Sequence, residues 1–216
     1  MRLQLQEVDY ADGAELAVIQ ATNSSGDELM KAMHPGLSFD GAVAASKERW
    51  LSTYGFGQWH HKKVVDADTG KIVALSRWTI PDEWNKFLPP RTGIPEGAEV
   101  PPRKKPTTLD MEFAGQYGDK AYEICDRVLK DRPNMMIDQF AILPEYHQSP
   151  AATLMLEWVT KFAGEHGLIC YCESSPESTP LYLEHGFEQV ESFTVSTKDG
   201  KDITMNVLTK QPAAKQ

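Results

Sequence analysis

The 216-residue chain contains no run approaching the roughly 18 uninterrupted apolar residues that a membrane-spanning helix needs. Its opening, MRLQLQEVDY, carries charge but no apolar h-region, so nothing there reads as a secretory leader. These absences predict a soluble, cytoplasmic protein. Cysteine is scarce: Cys125, Cys170 and Cys172 are an odd set of three, and Cys-x-Cys matches neither zinc nor redox-motif spacing. On a strand the sulfurs of Cys170 and Cys172 share a face, and the expectation is reduced thiols in a core. Basic residues are outnumbered, 22 Lys and Arg against 31 Asp and Glu, giving a net charge of -9 and a pI near 5.2. That balance argues against a nucleic-acid footprint and leans toward a cationic partner. Metal-ligand spacing is missing too: adjacent His60 and His61 point oppositely on a strand, and His147 stands apart. There is no internal repeat.

What is present, 41% hydrophobic and 25% charged residues, suits a single globular domain over residues 1–210, with a frayed tail at 211–216. RLQLQEV alternates as a strand does, while AELAVIQATNSSGDELMKAMH and GAVAASKERWLSTYG carry helical spacing. HHKKVVDADTGKIVALSRWTI reads as strand, Asp-x-x-Gly turn and strand, a hairpin. From Pro81 to Pro106 lie seven of the chain's 14 prolines, which predicts a long loop. With the helix expected in TLDMEFAGQYGDKAYEICDRVLKD, it makes an insertion or lid over about 81–134. Beyond it, MMIDQFAIL is a strand, PAATLMLEWVTKFAGEHG a helix ending at Gly167, and LICYCES another strand. TPLYLEHG is a short helix, and FEQVESFTV and ITMNVLTK are strands joined by KDGKD. This order predicts an α/β (α+β) fold, one mixed central sheet with helices on both faces.

DQFAILPEYHQSPAATLMLEW delivers a buried strand into a helix through a tight turn, a common place to hold phosphate. Glycine is missing from that turn, and Pro150 has no N–H to give an anion. The same letters make an ordinary helix start, with Ser149 as N-cap and Pro150 at N1, a device repeated at Thr179-Pro180.

AILPEYHQSPAATLMLEW and PLYLEHGFEQV, in this order and separated by a helix and a strand, resemble two motifs of the GNAT superfamily of acyl-CoA-dependent N-acyltransferases. Between them, GLICYCESSP is similar to the GLPVYLEASP strand of many fungal members. The likeness is good over 135–195, fair over 1–80 and absent over 81–134. It implies the GNAT acyl-CoA N-acyltransferase fold, acetyl-CoA or another acyl-CoA as co-substrate, and a small-molecule amine as acceptor, attacking directly in a ternary complex. It further implies that backbone groups of Phe140, Ala141 and Ile142 pair with pantetheine and polarise the thioester carbonyl. The pyrophosphate turn then comprises His147, where the family has glutamine, with amides of Gln148, Ser149, Ala151 and Ala152. The family's first turn glycine is Pro150 here, which removes one donor.

Tyr182 matches the family's tyrosine beside the CoA sulfur, a general acid; a packing tyrosine is the other reading. Asp138, six residues before Pro144, is the candidate base, with Glu173 and Glu112 as weaker ones and an ordinary surface acid as the alternative for each. Trp78 and Trp84 flank the Pro-rich loop and either line an aromatic-amine pocket or pack. The competing expectation is a GNAT-fold protein that no longer acetylates and binds a ligand or partner instead. Neither a nucleic-acid nor a membrane partner is expected, and the sequence sets no oligomeric state.

Overall fold

The computed structural model describes residues 1–103 and 105–212; Lys104 and the last four positions of the expected tail lie outside the described residues. In chain order the elements are β1 (Leu3–Glu7), α1 (Gly13–Gly26), α2 (Glu28–Met33), α3 (Phe39–Glu48), α4 (Trp50–Tyr54), β2 (Trp59–Asp66) and β3 (Ile72–Thr79). There follow α5 (Met111–Leu129), β4 (Asn134–Ile142), α6 (Ala151–His166), β5 (Ile169–Ser174), α7 (Thr179–Glu184), β6 (Glu188–Ser196) and β7 (Asp202–Lys210). The seven strands form one mixed sheet in the order β1-β2-β3-β4-β5-β7-β6. The β4–β5 pair is parallel, whereas β1–β2, β2–β3, β5–β7 and β7–β6 are antiparallel.

Two compact units divide the chain. The first comprises Met1–Asp27, Gly36–Thr107 and Asp138–Met155, and the second Glu28–Pro35, Thr108–Ile137 and Leu156–Gln216. The Pro-rich stretch up to Thr107 therefore groups with the first unit and α5 with the second.

In the first unit Leu16 and Ile19, one helical turn apart on α1, are buried with Trp50, Tyr54, Val65, Leu75 and Ala141. Burying each large side chain contributes about 1.5–3 kcal/mol. Polar tips are satisfied: Trp50 Nε1 donates to the Tyr10 carbonyl at 2.7 Å and the Tyr54 hydroxyl to the Val8 carbonyl at 2.8 Å. Gly13 makes this possible, because a Cβ there would come within 2.3 Å of the Trp50 indole. The β2–β3 turn closes where Asp-x-x-Gly predicts, with Gly70 at φ +76 donating to the Asp66 carbonyl at 2.7 Å. Part of the Pro-rich loop is fastened: the Arg91 guanidinium donates to the carbonyls of Phe56, Gly57 and Trp59, and Thr92 bridges Asp9.

The second unit packs Phe113, Ile124 and Leu129 of α5 with Tyr171, Phe193, Val195 and Val207. Asp110 caps α5, its carboxylate accepting from the amides of Glu112 and Phe113 at 3.1 Å. Helix α6 stops at Gly167, φ +69, with the Leu168 amide reaching back to the Ala163 carbonyl at 2.8 Å.

Two expectations change in detail. The helix read across residues 14–34 breaks at Asp27, which is extended at φ -87, ψ 121, after a Thr-Asn-Ser-Ser-Gly run of weak helix formers whose side chains bond the preceding turn. The one read across 41–55 divides at Arg49. Cys170 and Cys172 are buried free thiols, and burial pushes the Cys170 pKa up to about 12. Truncating Leu75 to Ala in the first core is expected to cost about 2–5 kcal/mol, read by urea denaturation with an unchanged m-value.

Candidate active site

Strand β4 pairs with β5 only from Asn134↔Ile169 to Ile137↔Cys172, yet runs on to Ile142. The ladder with β5 thus covers Asn134–Ile137, and residues 138–142 carry the strand on within the first unit. Ile142 is the least available of the three residues expected to meet pantetheine. Its amide donates to Asn23 Oδ1 at 3.2 Å and its carbonyl lies 2.9 Å from His147 Nε2. Gln139 is held from α1 through Gln20, which in turn accepts from Ser46.

A short 3-10 turn, Pro144–Tyr146, carries the chain from β4 toward α6. Lys71 pairs with Glu145 at 2.8 Å and Tyr146 reaches Asp66 at 3.3 Å, which ties the turn to the β2–β3 hairpin. Of the amides that follow, His147 donates to the Pro144 carbonyl and Ser149 to the Tyr146 carbonyl. Ser149 Oγ donates to the same Tyr146 carbonyl at 2.6 Å and accepts from the Ala151 amide at 3.3 Å, as an N-cap does. Among the described residues, the amides of Gln148 and Ala152 have no such bond. Thr179 does not repeat the device: it is the first residue of α7, and its hydroxyl donates back to the Ser175 carbonyl at 2.9 Å.

Asp138 follows Ile137, the last β4 residue in register with β5. Its carboxylate accepts from Thr79 Oγ1 at 2.6 Å and stands 4.0 Å from Arg77 Nε. The residue as a whole is exposed but its side chain only 24% so. Desolvation raises the carboxyl pKa; Arg77, the Thr79 hydrogen bond and Arg103 oppose that shift without cancelling it. Trp59 carries the two guanidiniums, with the Arg77 carbon 4.0 Å and the Arg103 carbon 3.8 Å from its ring centre. Trp78, in contrast, is fully enclosed and packs, so it lines no open pocket.

Tyr182 belongs to the second unit, buried against Phe187 with ring centroids 5.5 Å apart. Burial, and then the neighbouring Cys172 thiol, raise its pKa, so the phenol stays protonated and keeps an O–H to donate. Glu173 accepts from Tyr117 and Tyr171, whereas Glu112 pairs with Lys198 at 3.2 Å on the surface. Sequence reasoning missed Trp59, Arg77, Thr79 and Arg103. The available signal was Arg77, a charge inside the apolar strand IVALSRWT opposite His61.

No protein-family model matches the chain, and no curated protein matches it in sequence. Its fold is that of the GNAT acetyltransferases. The histone acetyltransferase HPA2 and related acetyltransferase of Corynebacterium glutamicum superposes with a TM-score of 0.61 at 14% identity, over 100% of this chain and 99% of that one. A GNAT superfamily phosphinothricin acetyltransferase of Sinorhizobium meliloti, solved with acetyl-CoA, gives 0.56 at 11% identity, over 100% and 93%. The C-terminal condensation domain of Ebony, in complex with beta-alanyl-dopamine, gives 0.64 at 11% identity, over 98% and 99%. No helix among the described residues is long and apolar enough to cross a membrane.

Because the native state raises the Asp138 pKa, it holds this proton to higher pH than the unfolded chain does, and stability falls as pH rises through that window. Asp138→Asn is therefore expected to raise the melting temperature at pH 7, with the gain shrinking as pH drops below the native pKa. Melting curves from pH 4 to 8 check this, and a lower melting temperature at pH 7 would contradict it.

Proposed function

We propose that the protein is an acyl-CoA-dependent N-acyltransferase, moving an acetyl group from acetyl-CoA to the primary amine of a small molecule by direct attack in a ternary complex. The observation that carries this reading is β4 running through a short 3-10 turn into the start of α6, where the Gln148 and Ala152 amides are left unbonded among the described residues. Pantetheine would pair along Phe140, Ala141 and Ile142, and a backbone N–H of this segment other than Ile142's, which is donated to Asn23, would polarise the thioester carbonyl. His147, Gln148, Ser149, Ala151 and Ala152 would face the pyrophosphate, with Gln148 and Ala152 supplying the readiest amides.

Asp138 is the base. The raised pKa makes it a stronger proton acceptor than an ordinary aspartate, directly or through one water. The neutral amine attacks the carbonyl carbon, the tetrahedral intermediate collapses, and the C–S bond breaks with its electron pair on sulfur, the surplus proton on nitrogen passing through water to the thiolate so that amide and free thiol leave. Tyr182 donates a hydrogen bond to the departing thiolate. With its own pKa raised it stabilises that anion more than it surrenders a proton to it.

A second reading has its own support. Pro150 lacks an N–H, and the His147 and Ser149 amides are spent inside the turn. The Ebony domain in complex with beta-alanyl-dopamine has a related fold and a condensation role. In this reading the chain binds a ligand or a partner, or catalyses another reaction such as a condensation, without drawing on acetyl-CoA.

Calorimetry with acetyl-CoA separates the two, since no binding at millimolar cofactor would sink the first. Given binding, Pro150→Gly should tighten it by about ten- to a hundredfold, the worth of one charge-assisted hydrogen bond. Tyr182→Phe should lower thiol release with little change in acetyl-CoA affinity, and full activity would remove Tyr182 from the mechanism.

A further inference from the structure

The cluster around Trp59 has more positive charge than its neighbours balance. Among the described residues, Arg91, Arg127 and Arg132 spend their guanidinium donors on carbonyls or carboxylates, but those of Arg49, Arg77 and Arg103 make no hydrogen bond. Arg77 Nε is buried and unsatisfied. The carboxylates in reach are few: Asp138 stands 4.0 Å from Arg77 Nε with its Oδ2 already bonded to Thr79, and Glu48 acts on Arg49. Arg103 and Arg49 are both close enough to Arg77 to disfavour its charge.

Stacking on an indole fixes the plane of a guanidinium and leaves its in-plane N–H fork for a ligand. Trp59 does this for Arg77 and Arg103 together, and Phe56, 4.8 Å from the Arg103 carbon, steadies the second. Such a fork matches a carboxylate bidentately. The carboxylate of Asp138 lies beside it, so a positive amine and a negative group on one small molecule would each find a partner in the same unit.

We propose that Arg77 and Arg103, held on Trp59, bind a carboxylate of the acceptor, so that the substrate is an amino acid or another amine with a carboxylate a few bonds from its amino group. This rests on the N-acyltransferase reading for the reaction, but not for the binding. Arg77 and Arg103 set specificity, and Asp138 takes the ammonium proton.

The test is a panel of the twenty amino acids and β-alanine, each beside its carboxamide, assayed by thiol release from acetyl-CoA and, without acyl-CoA, by calorimetry. At least one acid is expected to beat its amide by tenfold or more in kcat/KM and in affinity. Arg77→Gln and Arg103→Gln should each raise KM for that acid about ten- to a hundredfold, leaving the amide's KM and the acetyl-CoA affinity unchanged. Arg77→Lys, which keeps the charge but loses the fork, should fall short of wild type. Arg103 is exposed, so its variant carries the test if Arg77→Gln does not fold.

Acid and amide bound and used alike would overturn the proposal, as would a panel in which no acid binds. Loss of acetyl-CoA affinity in either variant, with acceptor preference intact, would overturn it in favour of a cofactor phosphate. An acid that binds through these arginines without any thiol release keeps the carboxylate site and defeats the acyltransferase reading instead.

Discussion

Strand β4 has to satisfy two neighbours with one backbone. Its first four residues are locked into the parallel ladder with β5, and past Ile137 that ladder ends although neither strand does. Unpaired backbone in a half-buried strand is costly unless something meets it. The chain meets part of the need itself, using Asn23 from α1 for the Ile142 amide and the His147 ring for its carbonyl. Asp138, the residue after the last ladder position, turns its carboxylate to Thr79 and Arg77.

Around Asp138 the sign of the local charge reverses that of the molecule. A chain with a net charge of -9 gathers Arg77 and Arg103 onto one tryptophan. A partly buried cation without hydrogen bonds, as Arg77 is, lowers stability, and so does a desolvated carboxylate. Fold economy would have put apolar side chains on these strands, as it did at Val73 and Leu75 on β3. Polar groups retained at such a cost are what a binding site requires, since the donors a ligand will use have to be left unused beforehand.

Much of the architecture was legible because it is written in local pattern. The Asp66-to-Gly70 turn, the Gly167 stop and the period-2 strands of the second half are short-range features, and they fall where the sequence placed them. Helix breaks at Asp27 and Arg49 were not, because apolar spacing carries across a break without registering it. Arg77 and Arg103 were invisible as a pair for a different reason. They are 26 positions apart, one on a strand and one in the Pro-rich segment, and only the fold brings both to Trp59. Trp78 shows the converse, an aromatic singled out for its position beside the loop that the sheet encloses completely.

The turn before α6 is where fold stability and ligand affinity compete for the same donors. An anion-binding turn must keep its amides unpaired in the free protein, which glycines permit by allowing open conformations. Here Ser149 caps, Pro150 presets the first helical φ, and the His147 and Ser149 amides close on carbonyls of the preceding residues. Each of these steadies the free turn and withdraws a donor from phosphate. What remains for an anion is the Gln148 and Ala152 amides with the weakly bonded Ala151, so cofactor affinity here would depend more on the β4 edge than on the phosphate end. A ligand held mainly along its chain is recognised by length and backbone pairing rather than by charge, and the charge-reading capacity of the first unit lies instead beside Asp138.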